Sequence, residues 1–179
     1  MRKNIFVFLF CFLCFQTGSY GMETFVYFSA DVDLTLKFVE QIDVETNSIR
    51  MAYCRLSEPK IIEALVLAQK RGVLVEVIVD RLSVTRKSLL RRLAQEGVRV
   101  LVWEPRENKK SHMYHAFCIF GEDLVWIGPC AFRSPLIHRE SACVIRDRGT
   151  DVRFTEEFER IRSVHAISLA DFLDKKNFN

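Results

Sequence analysis

The sequence predicts an α/β domain: a mixed, mostly parallel β-sheet with helices on both faces, an α-β-α sandwich. Three observations carry this. Apolar runs of strand length alternate with helix-periodic stretches between residues 24 and 103. One of those runs, Val73 to Val79 (VLVEVIV), is apolar at all but one position, as a strand covered on both faces should be. Gly72 and Gly97 each close a helical stretch just before a strand, where a left-handed residue ends a helix.

The elements follow in order. Thr24 to Phe28 is a short β-like run. Leu34 to Gln41 carries helix-spaced apolar residues, with Asp31 or Asp33 placed to cap it. Ser48 to Cys54 alternates Ile49, Met51 and Tyr53 and reads as a strand. Ser57-Glu58-Pro59 opens a helix whose buried face is Ile61, Ile62, Leu65 and Ala68, and Lys70 and Arg71 suit its C-terminal end. A helix over Thr85 to Glu96 and a strand over Val98 to Trp103 repeat the cycle. After a polar loop, Pro105 to Ser111, a β-hairpin is expected with arms Met113 to Phe120 and Asp123 to Ile127 around a two-residue Gly121-Glu122 turn. A strand over Glu140 to Ile145 and a helix over Val152 to Ile161 close the domain.

Residues 1–21 have the form of a secretory signal: Arg2 and Lys3, the apolar run Ile5 to Phe15, then QTGSYG with small residues for cleavage after Gly21. Eleven apolar residues reach only about 16 Å as a helix, short of a hydrocarbon core of roughly 30 Å. A retained membrane anchor is the minor alternative. The expected organisation is therefore a signal peptide, 1–21, and one domain, 22–179, exported to the periplasm or beyond.

The whole chain has 26 basic and 23 acidic side chains, but Arg2 and Lys3 belong to the signal, so the remainder is close to neutral. Net charge gives no support to a general nucleic-acid binder. A local basic stretch does exist, Arg81, Arg86, Lys87, Arg91 and Arg92, continued by Arg106, Lys109 and Lys110. It reads as a solvated helix face. Cys54, Cys118, Cys130 and Cys143 follow the signal; an exported chain can oxidise them in three pairings, and at least two of the four are expected as small buried hydrophobes. No cysteine or histidine spacing suits a metal, so neither zinc nor another cofactor is implied.

The most informative stretch is Met113 to Phe132, MYHAFCIFGEDLVWIGPCAF. It resembles the HxKxxxxD segment of the phospholipase D/nuclease superfamily. Aligned on Phe117, Gly128 and Phe132, the family's histidine falls on Tyr114, its lysine on Ala116 and its aspartate on Gly121. The serine and asparagine that follow fall on Pro129 and Ala131. VYFSADVDLT, TNSIRMAYCRLSEPKIIEAL, AQKRGVLVEVIVD and HRESACVI are similar to further segments of short, single-motif members, so the resemblance covers nearly all of residues 24 to 160. It implies a phospholipase D-like domain.

In that family a histidine attacks phosphorus to form a phosphohistidine, a second histidine protonates the leaving oxygen, and lysine and asparagine neutralise the phosphoryl charge. Single-motif members obtain the second histidine from a homodimer. This chain keeps the apolar frame and lacks the matching histidine, lysine and aspartate. Tyr114, His115 and Glu140 are the candidate catalytic positions. Tyr114 would need a nearby cation to ionise. His115 is one residue out of phase, so its side chain points to the opposite face unless a bulge intervenes. Glu140 aligns with the acid that orients the family's histidine. Arg133, His138 and Arg139 are the candidate ligand-binding residues, the guanidinium forks matching phosphate oxygens. The leading expectation is an exported, catalytically inactive domain that binds an anionic phosphodiester, phospholipid or nucleic acid, or dimerises with itself or a paralogue. The alternative is an active phosphodiesterase, phospholipase D or endonuclease, with a rearranged site around His115, Glu122 and Glu140.

Overall fold

The computed structural model describes residues 21–85, 88–105, 110–129, 132 and 138–176. Its strands are β1 (Glu23–Phe28), β2 (Ser48–Tyr53), β3 (Leu74–Asp80), β4 (Arg99–Trp103), β5 (Ala116–Phe120), β6 (Leu124–Ile127), β7 (Ser141–Arg146) and β8 (Ala166–Ser168). Its helices are α1 (Leu34–Val44), α2 (Pro59–Lys70), α3 (Leu90–Gln95), α4 (Arg148–His165) and α5 (Leu169–Lys175). The eight strands form one sheet in the order β1-β7-β6-β5-β2-β3-β4-β8.

The sheet is mixed, but parallel pairing is confined to β2–β3 and β3–β4. The other neighbouring pairs run antiparallel, so "mostly parallel" describes only the βαβαβ half. The reason is connection length. The three-residue link between β5 and β6 can join only antiparallel strands, whereas α2 and α3 supply the crossovers that parallel strands need.

The helices start where the sequence offers acceptors. Asp33 accepts from the Leu36 N–H at 3.1 Å, and Glu58 caps α2 with Pro59 in its first turn. Asp147 caps α4 by accepting from the Thr150 N–H at 2.7 Å. One sheet face packs against α1, α2, α3 and α5 through Phe38, Ile42, Ile62, Leu65, Leu93 and Phe172. Each such buried side chain contributes about 1.5–3 kcal/mol relative to exposure. The other face packs against α4, where Phe158 and Ile161 meet Ala52, Ile78, Phe117 and Ile119.

Three local expectations change. β5 begins at Ala116, and the hairpin loop has three residues, with Phe120 opposite Leu124. Each end of that loop is tied to a neighbour: the Gly121 N–H donates to Ser48 O at 2.9 Å and the Asp147 N–H to Asp123 O at 2.7 Å. Helix α3 is shorter than Thr85 to Glu96, starting at Leu90, and a 3-10 turn over Arg81–Ser83, whose Leu82 N–H donates to Asp80, follows β3 instead. Strand β8 and helix α5 are additional. Among the cysteines, Cys54 is disulfide-bonded, and Cys130 lies outside the described residues. Cys118 and Cys143 are free, one buried and one half-buried. No helix among the described residues is long and apolar enough to cross a membrane.

Candidate functional site at the carboxyl edge of the sheet

The parallel strands β2, β3 and β4 all end at one edge of the sheet, at Tyr53, Asp80 and Trp103, and β5 starts there opposite Tyr53. In α/β sheets the crevice beyond the carboxyl ends of the strands is where ligands bind. Tyr114, His115, Ala116 and residues 128 and 138–140 all lie at this edge.

The floor beneath Ala116 is aromatic. Tyr53 stacks on Phe132 with ring centroids 5.6 Å apart, and Phe38 sits 4.9 Å from Phe132 and 5.1 Å from Trp126. The Tyr53 hydroxyl donates to Gly128 O at 3.1 Å, and the Trp126 indole N–H donates to the same carbonyl. Burial pushes the Tyr53 phenol well above its ordinary pKa, so it stays a neutral donor. Gly128 cannot be replaced cheaply: its φ is +76°, and a Cβ there would lie 2.8 Å from Ser141 O. Ala116, half-buried, packs onto this apolar floor.

Tyr114 is 78 % exposed. His115 follows the strand's alternation. The Cys54 N–H donates to His115 O at 2.8 Å, so the β2–β5 ladder runs on without a bulge. The His115 imidazole therefore turns to the α4 face, where Nε2 lies 3.0 Å from Glu157 Oε1 and the ring meets Phe117 edge-on at 5.6 Å. Glu157 also accepts both N–H groups of the Arg160 fork at 2.8 Å. Beside them, buried Asp80 accepts from the Met113 N–H at 2.7 Å and faces His112 Nδ1 at 3.6 Å. Asp80 thus fixes the path of residues 111–115 into β5.

A family model described as "Cardiolipin synthase, PLD-like domain" matches residues 38–162, well over half of the chain. The chain belongs to the phospholipase D-like family. No curated protein matches it in sequence. Among solved structures, Nuc from Salmonella typhimurium, a phospholipase D family member, superposes with a TM-score of 0.69 at 22 % identity, over 81 % of this chain and 97 % of that one. NucT from Helicobacter pylori superposes with a TM-score of 0.70 at 15 % identity, over 83 % of this chain and 100 % of that one. The archaeal chromatin protein TrmBL2 gives 0.61 at 18 % identity, over 82 % of this chain and 55 % of that one. These likenesses establish the fold.

In this phospholipase D-like domain the motif positions divide between the two ends of β5. Tyr114 and Ala116 stand at the carboxyl edge of the sheet. Gly121 and Glu122 sit in the hairpin loop at the other end, where Glu45 accepts from the Thr46, Asn47 and Ser48 N–H groups. His115 and Glu122 are therefore not brought together. Glu140 is near the carboxyl edge: its N–H donates to Ser29 Oγ and its carbonyl accepts from the Ser29 N–H, both at 2.9 Å, which joins it to the end of β1. His138 is half-buried and Arg139 exposed beside it; Arg133 lies outside the described residues. Among the described residues no three histidine, cysteine or acidic side chains form a metal cage.

Sequence reasoning missed the partners from α4, Glu157 and Arg160, and the role of Asp80. No local signal points to them, since the fold alone brings α4 beneath β5. Asp80, an acid ending an apolar strand, is the one that could have been suspected.

Proposed function

We propose that this chain is an exported phospholipase D-like domain that does not turn over phosphodiesters and acts by binding. Its ligand is an anionic phosphodiester, or its partner is a second phospholipase D-like chain. One observation carries this reading: where the family places histidine and lysine, this site has an exposed tyrosine and a packed alanine, and the adjacent histidine faces α4. A tyrosine with a pKa of about 10 and no cation at position 116 is a poor nucleophile at neutral pH. The alternative, a phosphodiesterase rearranged around His115, Glu122 and Glu140, would have to act with Glu122 at the far end of β5.

The polar residues remaining near the edge, His138, Arg139 and Glu140, suit recognition of a phosphate better than attack on it. TrmBL2, an archaeal chromatin protein with a novel mode of DNA binding, supports the idea that this fold can serve by binding. Export rests on the form of residues 1–21; N-terminal sequencing of the exported protein should start near Met22, and a start at Met1 would remove that part of the proposal.

The test is turnover. Purified protein is assayed against phosphatidylcholine, single-stranded DNA and bis(p-nitrophenyl) phosphate. No release above buffer is expected. Turnover that disappears in Tyr114→Phe or His115→Ala would overturn the reading.

A further inference from the structure

Strand β1 is an outer strand of the sheet, and among the described residues it pairs with β7 alone. Native edge strands are blunted by lysine, proline, a bulge or very short length. β1 has none of these. Its six residues, ETFVYF, keep an unbroken register from Glu23 opposite Arg146 to Phe28 opposite Ser141, and the one charge stands at its start. Phe25, Val26 and Phe28 are 48, 56 and 53 % exposed. The opposite edge is guarded: β8 has three residues and passes directly into α5.

Strand parity fixes which backbone groups of β1 are left over. The Ser29 N–H donates to Glu140 O at 2.9 Å, one step beyond the Phe28–Ser141 pair, so Ser29 turns its backbone toward β7. In an antiparallel ladder alternate residues bond the same neighbour, so Tyr27, Phe25 and Glu23 also face β7. Thr24, Val26 and Phe28 therefore face outward. The Phe28 carbonyl is taken by the N–H groups of Asp31 and Val32, at 3.0 and 3.1 Å. That leaves the N–H and C=O of Thr24 and Val26, and the Phe28 N–H, aimed at the free edge.

Those groups and the side chains beside them match a second copy of β1. Turned antiparallel about a twofold axis at Val26, the two strands exchange both Val26 N–H···O=C bonds, and each Phe28 N–H meets the Thr24 carbonyl of the other copy. The same register sets Val26 on Val26 and Thr24 on Phe28 on the α4 face. On the other face it sets Phe25 on Tyr27, which is already stacked on Trp126 at 6.0 Å. Glu23 falls opposite Ser29, so no like charges meet. We infer that β1 is a self-pairing surface by which two copies of this chain join their sheets edge to edge. The contact leaves the carboxyl edge of both copies open, so it goes beyond the binding reading above. A strand of six residues is small beside the roughly 1,600 Å² of a stable interface, so the pairing is weak and forms at high protein concentration.

The test is sedimentation equilibrium of the purified protein between about 5 and 500 µM, read beside residue-resolved amide hydrogen exchange. Average mass should rise about two-fold or more across the range. Over the same range the Val26 and Phe28 amides should slow about ten-fold, while those of Phe25 and Tyr27, already bonded to β7, keep their rates. Val26→Lys should hold the dilute mass at every concentration. Val26→Thr should associate like the unmodified protein, and circular dichroism confirms that both variants are folded. Tyr114→Lys, at the carboxyl edge, should leave the concentration-dependent rise intact. A mass unchanged across the range overturns the inference and leaves the edge to a strand of another protein. So does a rise that Val26→Lys preserves, or one that Tyr114→Lys alone abolishes, which moves the contact to the motif. Binding to phosphatidylglycerol vesicles that Val26→Lys abolishes, with no rise in mass, gives the patch to a lipid surface and also overturns it.

Discussion

The imidazole Nε2 of His115 lies 3.0 Å from Oε1 of Glu157, so the histidine nearest the motif is bound to α4 rather than presented to a substrate. Its direction is a consequence of strand parity. Ala116 and Cys118 face the aromatic floor and the α1–α2 side, while His115, Phe117 and Ile119 face α4. The carboxylate that receives the imidazole is then shared with Arg160.

A double-mutant cycle on His115→Ala and Glu157→Ala should give a coupling of at most about 1 kcal/mol, because both side chains remain partly in water, at 43 and 25 % exposure. Chemical denaturation measures it. Neither single change should alter phosphodiesterase turnover. A loss of turnover in the histidine variant alone would mean that His115 does chemistry.

Gly121 stands where the family has aspartate, in a loop whose backbone suits glycine. Its φ is +57°, and a Cβ there would lie 3.5 Å from a carboxylate oxygen of Glu45. Gly121→Asp alone should therefore destabilise the fold by about 1–2 kcal/mol, from the left-handed backbone and like-charge contact together. Urea denaturation should show Glu45→Gln reducing that cost. An unchanged or increased midpoint in Gly121→Asp would mean that the loop tolerates the family residue.

Asp151, buried in the first turn of α4, should make stability pH-dependent. Burial raises its carboxyl above the ordinary pKa, with the nearby Arg50 guanidinium opposing the rise. A group whose pKa is raised by folding contributes stability below its unfolded pKa, near about 4, and loses it as pH rises through the folded value. At pH 7 the ionised carboxylate is thus a burden. Asp151→Asn should melt higher than the unmodified protein at pH 7, with the gap closing as pH falls through the carboxylate range. A gap that stays constant or widens at low pH would contradict this.

The protein should be a dimer in solution. Where the family has histidine and lysine at the carboxyl edge, this chain has Tyr114 and Ala116, so covering that edge with a second copy desolvates fewer polar atoms than a working site would. Tyr114, 78 % exposed, would sit at the rim of that contact. Light scattering at micromolar concentration decides the matter, and a clean monomer would remove the paralogue-partner reading with it.

Much of the scaffold was legible in the sequence because period and punctuation agree. Val73 to Val79 could only be a covered strand, Asp33 and Glu58-Pro59 mark helix starts, and strand parity alone turned His115 from the motif face. The C-terminal β8 and α5 were not legible. Ala166–Ser168 is too short to show a period, and α4 passes into it without glycine or proline. Ser168, which accepts from the Asp171 N–H and donates to its carboxylate, was the available sign.

The most direct measurement compares the natural chain with a restored one. In Tyr114→His, Ala116→Lys, Gly121→Asp, Pro129→Ser, Ala131→Asn, with Glu45→Gln to relieve the loop, the family's groups return to a strand of the right phase. Transition-state contacts of this kind are worth roughly 2–4 kcal/mol each, so the restored protein should hydrolyse bis(p-nitrophenyl) phosphate weakly but above buffer. The unmodified protein should show no hydrolysis in the same assay. Hydrolysis by the unmodified protein that Tyr114→Phe or His115→Ala abolishes would contradict the account.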